Sequence, residues 1–289
     1  MNQLTKTIIK VPILGRLMLI IYRAKLGLWY FQGRLWNLFT WLFRSREITN
    51  FTYDLEATNK RYLASLIAHV TNENIDIILS YFKEIETDNN LIKHIADLTK
   101  KHNSAILADK KMYFSRRIGW YAFARVLKPK NIIETGVDKG LGSCILTSAL
   151  KRNHQEGHKG QYYGTDINPE AGYLLAGEYE NYGRILYGDS IESLKKFNGS
   201  IDLFINDSDH ASDYESEEYK TIAKMLSDNA VILGDNSGAT NELLDFSLKM
   251  NRDFVFFQEK PKEHWYPGGG IGISFKKGQM PNKDGVSKS

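Results

Sequence analysis

The 289-residue chain has one cysteine, Cys144, so no internal disulfide can form and a reducing compartment such as the cytoplasm is the expected setting. No stretch approaches the ~18 to 20 uncharged apolar residues that span a bilayer, because Arg16, Arg23, Lys25, Arg34 and Arg44 interrupt the apolar N-terminal segment. A small-residue cleavage site after one short apolar core is missing too, which argues against a secretory signal. No internal repeat is evident. Six prolines, 42% hydrophobic and 25% charged residues leave room for one large α/β domain with an appended segment, or for two small domains.

Charge is unevenly spread. Residues 1–50 hold eight cations against Glu47 alone, a local balance of +7, so the remaining chain carries −3 of the total +4. Attraction to polyanions therefore belongs to the N-terminal piece, and no nucleic-acid partner is expected for the body. Residues 1–46 mix Trp, Phe, Leu and Ile with regularly spaced cations. Two readings stay open for this arm: a helix lying in a membrane interface, or one packed on its own body or on a second subunit. Whether the chain is a homo-oligomer is left open with it.

Residues 51–129 have helical spacing. Tyr62, Leu63, Leu66, Ile67 and Val70 form one stripe, and Ile75, Ile77, Ile78, Tyr81 and Phe82 another. Asn89-Asn90 is expected to break the chain before a helix over Leu91–Lys101, and Met112–Leu127 to form a further helix, ended by Lys128-Pro129. Its Arg116, Arg117, Trp120 and Tyr121 either edge a substrate mouth or sit on a plain surface. His69, His94 and His102 have no spaced partner and are taken as packed or solvated helix residues.

From Asn131 the pattern changes. Apolar strands are expected at 131–135, 161–165, 184–187, 201–206, 230–234, 254–258 and 271–275, alternating with helices. This predicts an α/β fold, a Rossmann-like, mostly parallel seven-stranded sheet covered on both faces, with ligands bound beyond the strands' carboxyl ends. The tail, 276–289, has little to bury and is expected to be disordered.

The strand ends carry the chemistry. Glu134 ends the first strand and is followed by a turn with Gly136, Gly140, Gly142 and Ser143; Asp166 ends the second; Asp189 follows the third; Asp207-Ser208-Asp209-His210 follows the fourth; Asp235-Asn236 ends the fifth. So many carboxylates at one edge call for a cation or hydroxyl donors. Asp166 is placed for the two hydroxyls of a ribose, Asp189 for an adenine amino group, and Glu134 with the turn amides for an amino-acid end. Turn and N-cap roles for Asp166 and Asp189 are the plain alternatives. Asp213, Glu215, Glu217 and Glu218 are expected to form the solvated first turns of a helix.

The series ETGVDKG, GTDINPEA, GDS, DLFINDSDH and LGDNSG resembles, in that order, class I S-adenosylmethionine-dependent methyltransferases, and among them the metal-dependent O-methyltransferases of the catechol and macrocin types. The likeness spans about residues 130–275 and leaves the first hundred unexplained. It implies S-adenosylmethionine contacts from Glu134, Gly136, Gly140, Gly142, Ser143, Asp166, Asp189 and Asp207. It also implies a Mg²⁺ or similar ion at Asp207, Asp235 and Asn236, and oxygen ligands suit such a hard cation. Asp209 is an alternative ligand, or orients His210. His210, three residues past Asp207, is placed as general base, with a loop residue capping the next helix as its plain alternative. The catechol type has lysine there and the macrocin type histidine, which favours a sugar or other aliphatic hydroxyl. Asp138-Lys139 inside the turn departs from the family.

The segment His264–Gly270 is either a flap that stacks Trp265 or Tyr266 on a sugar ring, or a long hairpin loop. The expected activity is thus Mg-assisted O-methylation of a sugar, glycosylated natural product or glycolipid, in the cytoplasm or peripherally on the inner face of a membrane if the arm binds lipid. The rivals are a binding module without turnover and a nicotinamide oxidoreductase. The oxidoreductase would need G-x-G-x-x-G, whereas the chain has G-x-x-x-G.

Overall fold

The computed structural model describes residues 12–48, 51–109, 111–235 and 237–276. Asn236 and all but the first residue of the expected tail lie outside them. The chain divides into two units, Met1–Arg46 with Glu263–Tyr266, and Glu47–Lys262 with Pro267–Ser289.

In the first unit a 33-residue helix, α1, runs over Pro12–Arg44. Trp41 near its end packs edge-on against Trp265, with ring centroids 5.3 Å apart. No helix among the described residues is long and apolar enough to cross a membrane.

The second unit begins with α2 (Ala57–Thr71), α3 (Ile75–Glu86) and α4 (Asn89–Lys101). Leu63, Ile67 and Val70 of the first stripe and Ile78 and Phe82 of the second are buried, whereas Tyr62 and Ile77 are exposed. The break before α4 falls earlier than Asn89-Asn90. Asp88 caps the helix by accepting from the amides of Asn90 (3.1 Å) and Leu91 (3.0 Å), so both asparagines are helical. The helix expected from Met112 starts at Arg117, as α5 (Arg117–Leu127). The chain turns sharply just before it, with Ser115 in the left-handed region at φ 51° and its Oγ accepting from the Tyr53 amide at 3.0 Å.

The sheet has seven strands in the order β3-β2-β1-β4-β5-β7-β6. These are β1 (Asn131–Thr135), β2 (Gln161–Asp166), β3 (Gly183–Tyr187), β4 (Ile201–Asn206), β5 (Leu226–Asp235), β6 (Asp253–Phe257) and β7 (Ile271–Phe275). β1 to β5 pair in parallel, and β7 runs antiparallel to both β5 and β6. All seven strands were expected; β5 starts four residues early, at Leu226. The carboxylate of Asp202 sets the start of β1 against β4 by accepting from the amides of Lys130 (2.8 Å) and Asn131 (3.0 Å).

Strands covered on both faces are apolar almost throughout, as in the buried Ile201, Leu203, Phe204 and Ile205 of β4. Helices α7 (Ser190–Lys196), α8 (Ser212–Ile222) and α9 (Glu242–Lys249) supply Leu194, Tyr219, Ile222, Leu243 and Phe246 to a core with Ile133, Phe204 and Ile232. Trp120 and Phe123 of α5 and Ile145, Leu146 and Leu150 of α6 (Leu141–Gln155) are buried as well. Between β2 and β3 the chain forms turns and a short 3₁₀ segment, Gly177–Tyr182, where an α-helix was expected. Asn168 makes a turn there, its side chain accepting from the Glu170 amide at 3.0 Å, and starts no α-helix.

Candidate active site

The register of the sheet brings the expected residues to one edge. Thr135 pairs with Thr165 on one side and Asn206 on the other, and Asn206 pairs with Gly234. Gly136, Asp166, Asp207 and Asp235 therefore emerge side by side, at the point between β1 and β4 where the strand order reverses. Open α/β sheets bind ligands at this point. A cavity of about 580 Å³ opens there, within the size range of small-molecule sites.

Of the residues named for the cosubstrate, Gly136, Gly142, Asp166, Asp189 and Asp207 line this cavity, while Glu134, Gly140 and Ser143 do not. Glu134 is buried behind the turn, accepting from the Tyr162 hydroxyl at 2.6 Å, and Tyr162 in turn meets Ser143 Oγ at 2.7 Å. Burial drives the Glu134 carboxyl up to about 7, against the pull of the Tyr162 bond and of Arg117. Gly136 and Gly142 are required by their neighbours. At Gly136, φ is 81° and a Cβ would stand 2.0 Å from the Asp207 carbonyl oxygen; at Gly142 it would stand 2.2 Å from Glu134 Oε1.

Asp166 holds the turn in shape. Its Oδ2 accepts from the amides of Val137 (3.1 Å) and Asp138 (2.9 Å), and its Oδ1 from Asn168 (2.8 Å). A carboxylate has roughly four acceptor positions, which leaves little capacity for two ribose hydroxyls unless the turn amides give way. Asp189 does cap α7, accepting from the Glu192 amide at 2.9 Å, while its other oxygen takes the Tyr214 hydroxyl at 3.0 Å. Tyr214 also lines the cavity. Asp209 lines it too and accepts from the Ala211 amide at 3.0 Å, the bond of a turn residue.

Donor atoms of Asp207, His210 and Asp235 lie within 4.8 Å of one another; Asp207 and His210 line the cavity and Asp235 does not. Asn236 lies outside the described residues. Two arginines meet the carboxylates. Arg116 binds Asp235 through Nε and Nη2, and its Nη1 lies 3.8 Å from Glu259; Arg117 Nη2 approaches Asp207 Oδ2 at 3.3 Å. Burial raises the Asp207 carboxyl well above the usual carboxylate range, and the Asp235 charge adds to this. The same desolvation presses on Asp235, but Arg116 outweighs it and holds that carboxyl low. Two carboxylates and an imidazole at this spacing are a group that could hold a divalent cation, with both Asp235 oxygens here engaged by Arg116.

Arg116 and Arg117, expected on a helix over Met112–Leu127 at a substrate mouth or on a plain surface, are both buried; Arg116 is the N-cap residue of α5, and Arg117 begins it and lines the cavity. Glu215 and Glu218, expected on the solvated first turns of a helix, are instead buried, while Asp213 and Glu217 are exposed. Glu218 accepts from Thr135 Oγ1 (3.1 Å), Ser208 Oγ (2.9 Å), Ser190 Oγ and Asn206 Nδ2, and so ties together the ends of β1 and β4, the loop after β4 and the start of α7. The signal was available, because 215, 218, 219 and 222 follow the i, i+3, i+4, i+7 spacing of a buried helix face that includes Tyr219 and Ile222.

In the loop before β7, Gly270 donates to Glu259 Oε2 at 3.0 Å. The lining of the cavity runs from Glu47 to Tyr214.

Residues 133–237 match the profile of a family described as a methyltransferase domain. No curated protein matches the chain. Similar solved structures include the S-adenosylhomocysteine-bound methyltransferase PaMTH1 of Podospora anserina (18% identity, 65% of this chain and 88% of that one, TM-score 0.46). They also include the O-methyltransferase TomG of Streptomyces achromogenes, in complex with S-adenosylmethionine and involved in tomaymycin synthesis (15%, 66% and 92%, TM-score 0.47). A third is an O-methyltransferase of Bacillus cereus in complex with S-adenosylhomocysteine (14%, 64% and 91%, TM-score 0.47). At these identities and scores the likeness assigns no role to any residue.

Proposed function

We propose that the chain transfers the methyl group of S-adenosylmethionine to a hydroxyl of a small acceptor such as a sugar, a glycosylated natural product or a glycolipid. The observation that carries this reading is the makeup of one cavity. Its lining carries the carboxylates Asp166, Asp189 and Asp207 together with His210 and Arg117; on this reading the first two take the nucleoside and the other three the acceptor. In the transfer an oxygen–methyl bond forms as the sulfonium–methyl bond breaks, leaving a neutral thioether, and the hydroxyl proton passes to His210. Alignment of oxygen, methyl and sulfur provides the rest of the acceleration. A divalent cation would be held by Asp207 and Asp235, with Asn236 as the third ligand the family resemblance implies, and would make an acceptor hydroxyl more acidic.

A second reading rests on the bidentate contact of Arg116 with Asp235 and the approach of Arg117 to Asp207. These guanidinium groups already balance the carboxylates, and with them in place the transfer proceeds without a metal. Methyl transfer from labelled S-adenosylmethionine to a panel of glycosides, with a chelator and then with added Mg²⁺, separates the two: chelator-sensitive turnover supports the cation, undiminished turnover the arginines. An isotherm with no heat on S-adenosylhomocysteine addition sinks both, and binding without turnover on any acceptor leaves the protein a binding module.

A further inference from the structure

We infer that α1 is a docking surface for anionic lipid, lying in the plane of a membrane interface. The helix has 33 residues, which at 1.5 Å per residue is about 50 Å of contact length. It contains five cations and no acidic residue. Arg16, Arg23 and Arg34 are separated by seven and eleven residues, close to whole numbers of turns, so they form one stripe along the helix. Gly27, where an added Cβ would meet nothing within 4 Å, lies between Arg23 and Arg34 and leaves a shallow groove bounded by them and by Tyr30.

The broad remainder of the helix, interrupted by Lys25 and Gln32, is otherwise mostly apolar and open to solvent: Ile13 is 85% exposed, Trp29 62%, Trp36 65% and Phe43 76%. Soluble surfaces rarely keep so continuous an apolar face uncovered. A narrow cationic stripe beside a wide aliphatic and aromatic face fits a lipid interface, with acyl chains taking the apolar side chains, headgroup depth suiting Trp and Tyr, and phosphates meeting the arginines. A second copy of the helix would cover the apolar face but bring five more cations and no anion, so charge complementarity selects an anionic membrane over self-association. The inference is independent of the proposed methyl transfer, because lipid binding is read without turnover.

The test is flotation of the full chain with vesicles of phosphatidylcholine alone and of phosphatidylcholine mixed with phosphatidylglycerol. The chain is expected to float with the mixed vesicles and to bind the neutral ones far more weakly. The triple variant Arg16→Glu, Arg23→Glu, Arg34→Glu is expected to lose about a hundredfold in affinity for the mixed vesicles. Trp29→Ala with Trp36→Ala is expected to weaken binding at unchanged charge, and circular dichroism of both variants verifies that they fold. Failure to float with mixed vesicles, or flotation indifferent to charge reversal, overturns the inference. So does a discrete oligomer in vesicle-free buffer that charge reversal leaves intact and the tryptophan variant dissociates; that result assigns the helix to a second copy.

Discussion

His210 is exposed and lies three residues past Asp207, with a ring nitrogen in the Asp207–Asp235 group. A proton acceptor beside a developing ether oxygen contributes about 10²- to 10⁴-fold, so His210→Gln is expected to lower kcat by that range. The affinity for S-adenosylhomocysteine should stay within about twofold, since only the transition state loses an interaction. An equal loss in both measurements would make His210 a binding residue. Glu134 makes a different prediction. Burial lifts its carboxyl from 4.5 to about 7, so the neutral form is the one the folded chain favours. Its contribution to stability is therefore complete below about 4.5 and lost as pH rises through about 7. Relative to Glu134→Gln, the wild-type chain should lose about 3 kcal/mol of stability over that window. Chemical denaturation of the two proteins across pH 4 to 8 checks this, and curves that stay parallel would refute it.

At the scale of elements, the turn between β1 and α6 depends on a residue without a side chain. Gly136→Ala places a Cβ 2.0 Å from the Asp207 carbonyl at a φ of 81°, so the loop after β4 must move. A loss of about 2 kcal/mol or more, with weaker S-adenosylhomocysteine binding, is expected from denaturation and calorimetry. A variant as stable and as tight-binding as wild type would remove that turn from the site. The strands were legible in the sequence because a strand buried on both faces is a short apolar run between turn signals, as in the stretch from Ile201 to Asn206. So were the glycines of the turn and the acids at the strand ends. Helix starts were less so. Met112 to Phe114 continue the apolar pattern of α5, and only the left-handed backbone at Ser115, which its sequence does not announce, separates them from it. The partners of the acids were hidden for another reason: Arg116 reaches Asp235 across 119 positions of chain, and no local spacing records such a pair. Glu218 reads as solvated by its charge, but its position on the buried stripe of α8 decides where it sits.

At the scale of the whole molecule, charge and cavity are assigned to different stretches of chain. The eight cations of the N-terminal stretch all lie between Lys6 and Arg46, whereas every residue lining the cavity lies from Glu47 onward. The unit that starts at Glu47 has its own seven-stranded sheet and apolar core. A chain beginning at Glu47 is therefore expected to fold cooperatively and to bind S-adenosylhomocysteine with a Kd within about twofold of the full chain's, because it keeps every residue that lines the cavity. It should also lose its attachment to anionic vesicles, since the cationic helix is gone. Measuring both on the same preparation tests the division directly. Cosubstrate binding lost together with the helix would mean that the arm completes the binding site, and vesicle binding retained without it would move the lipid contact to the body of the protein.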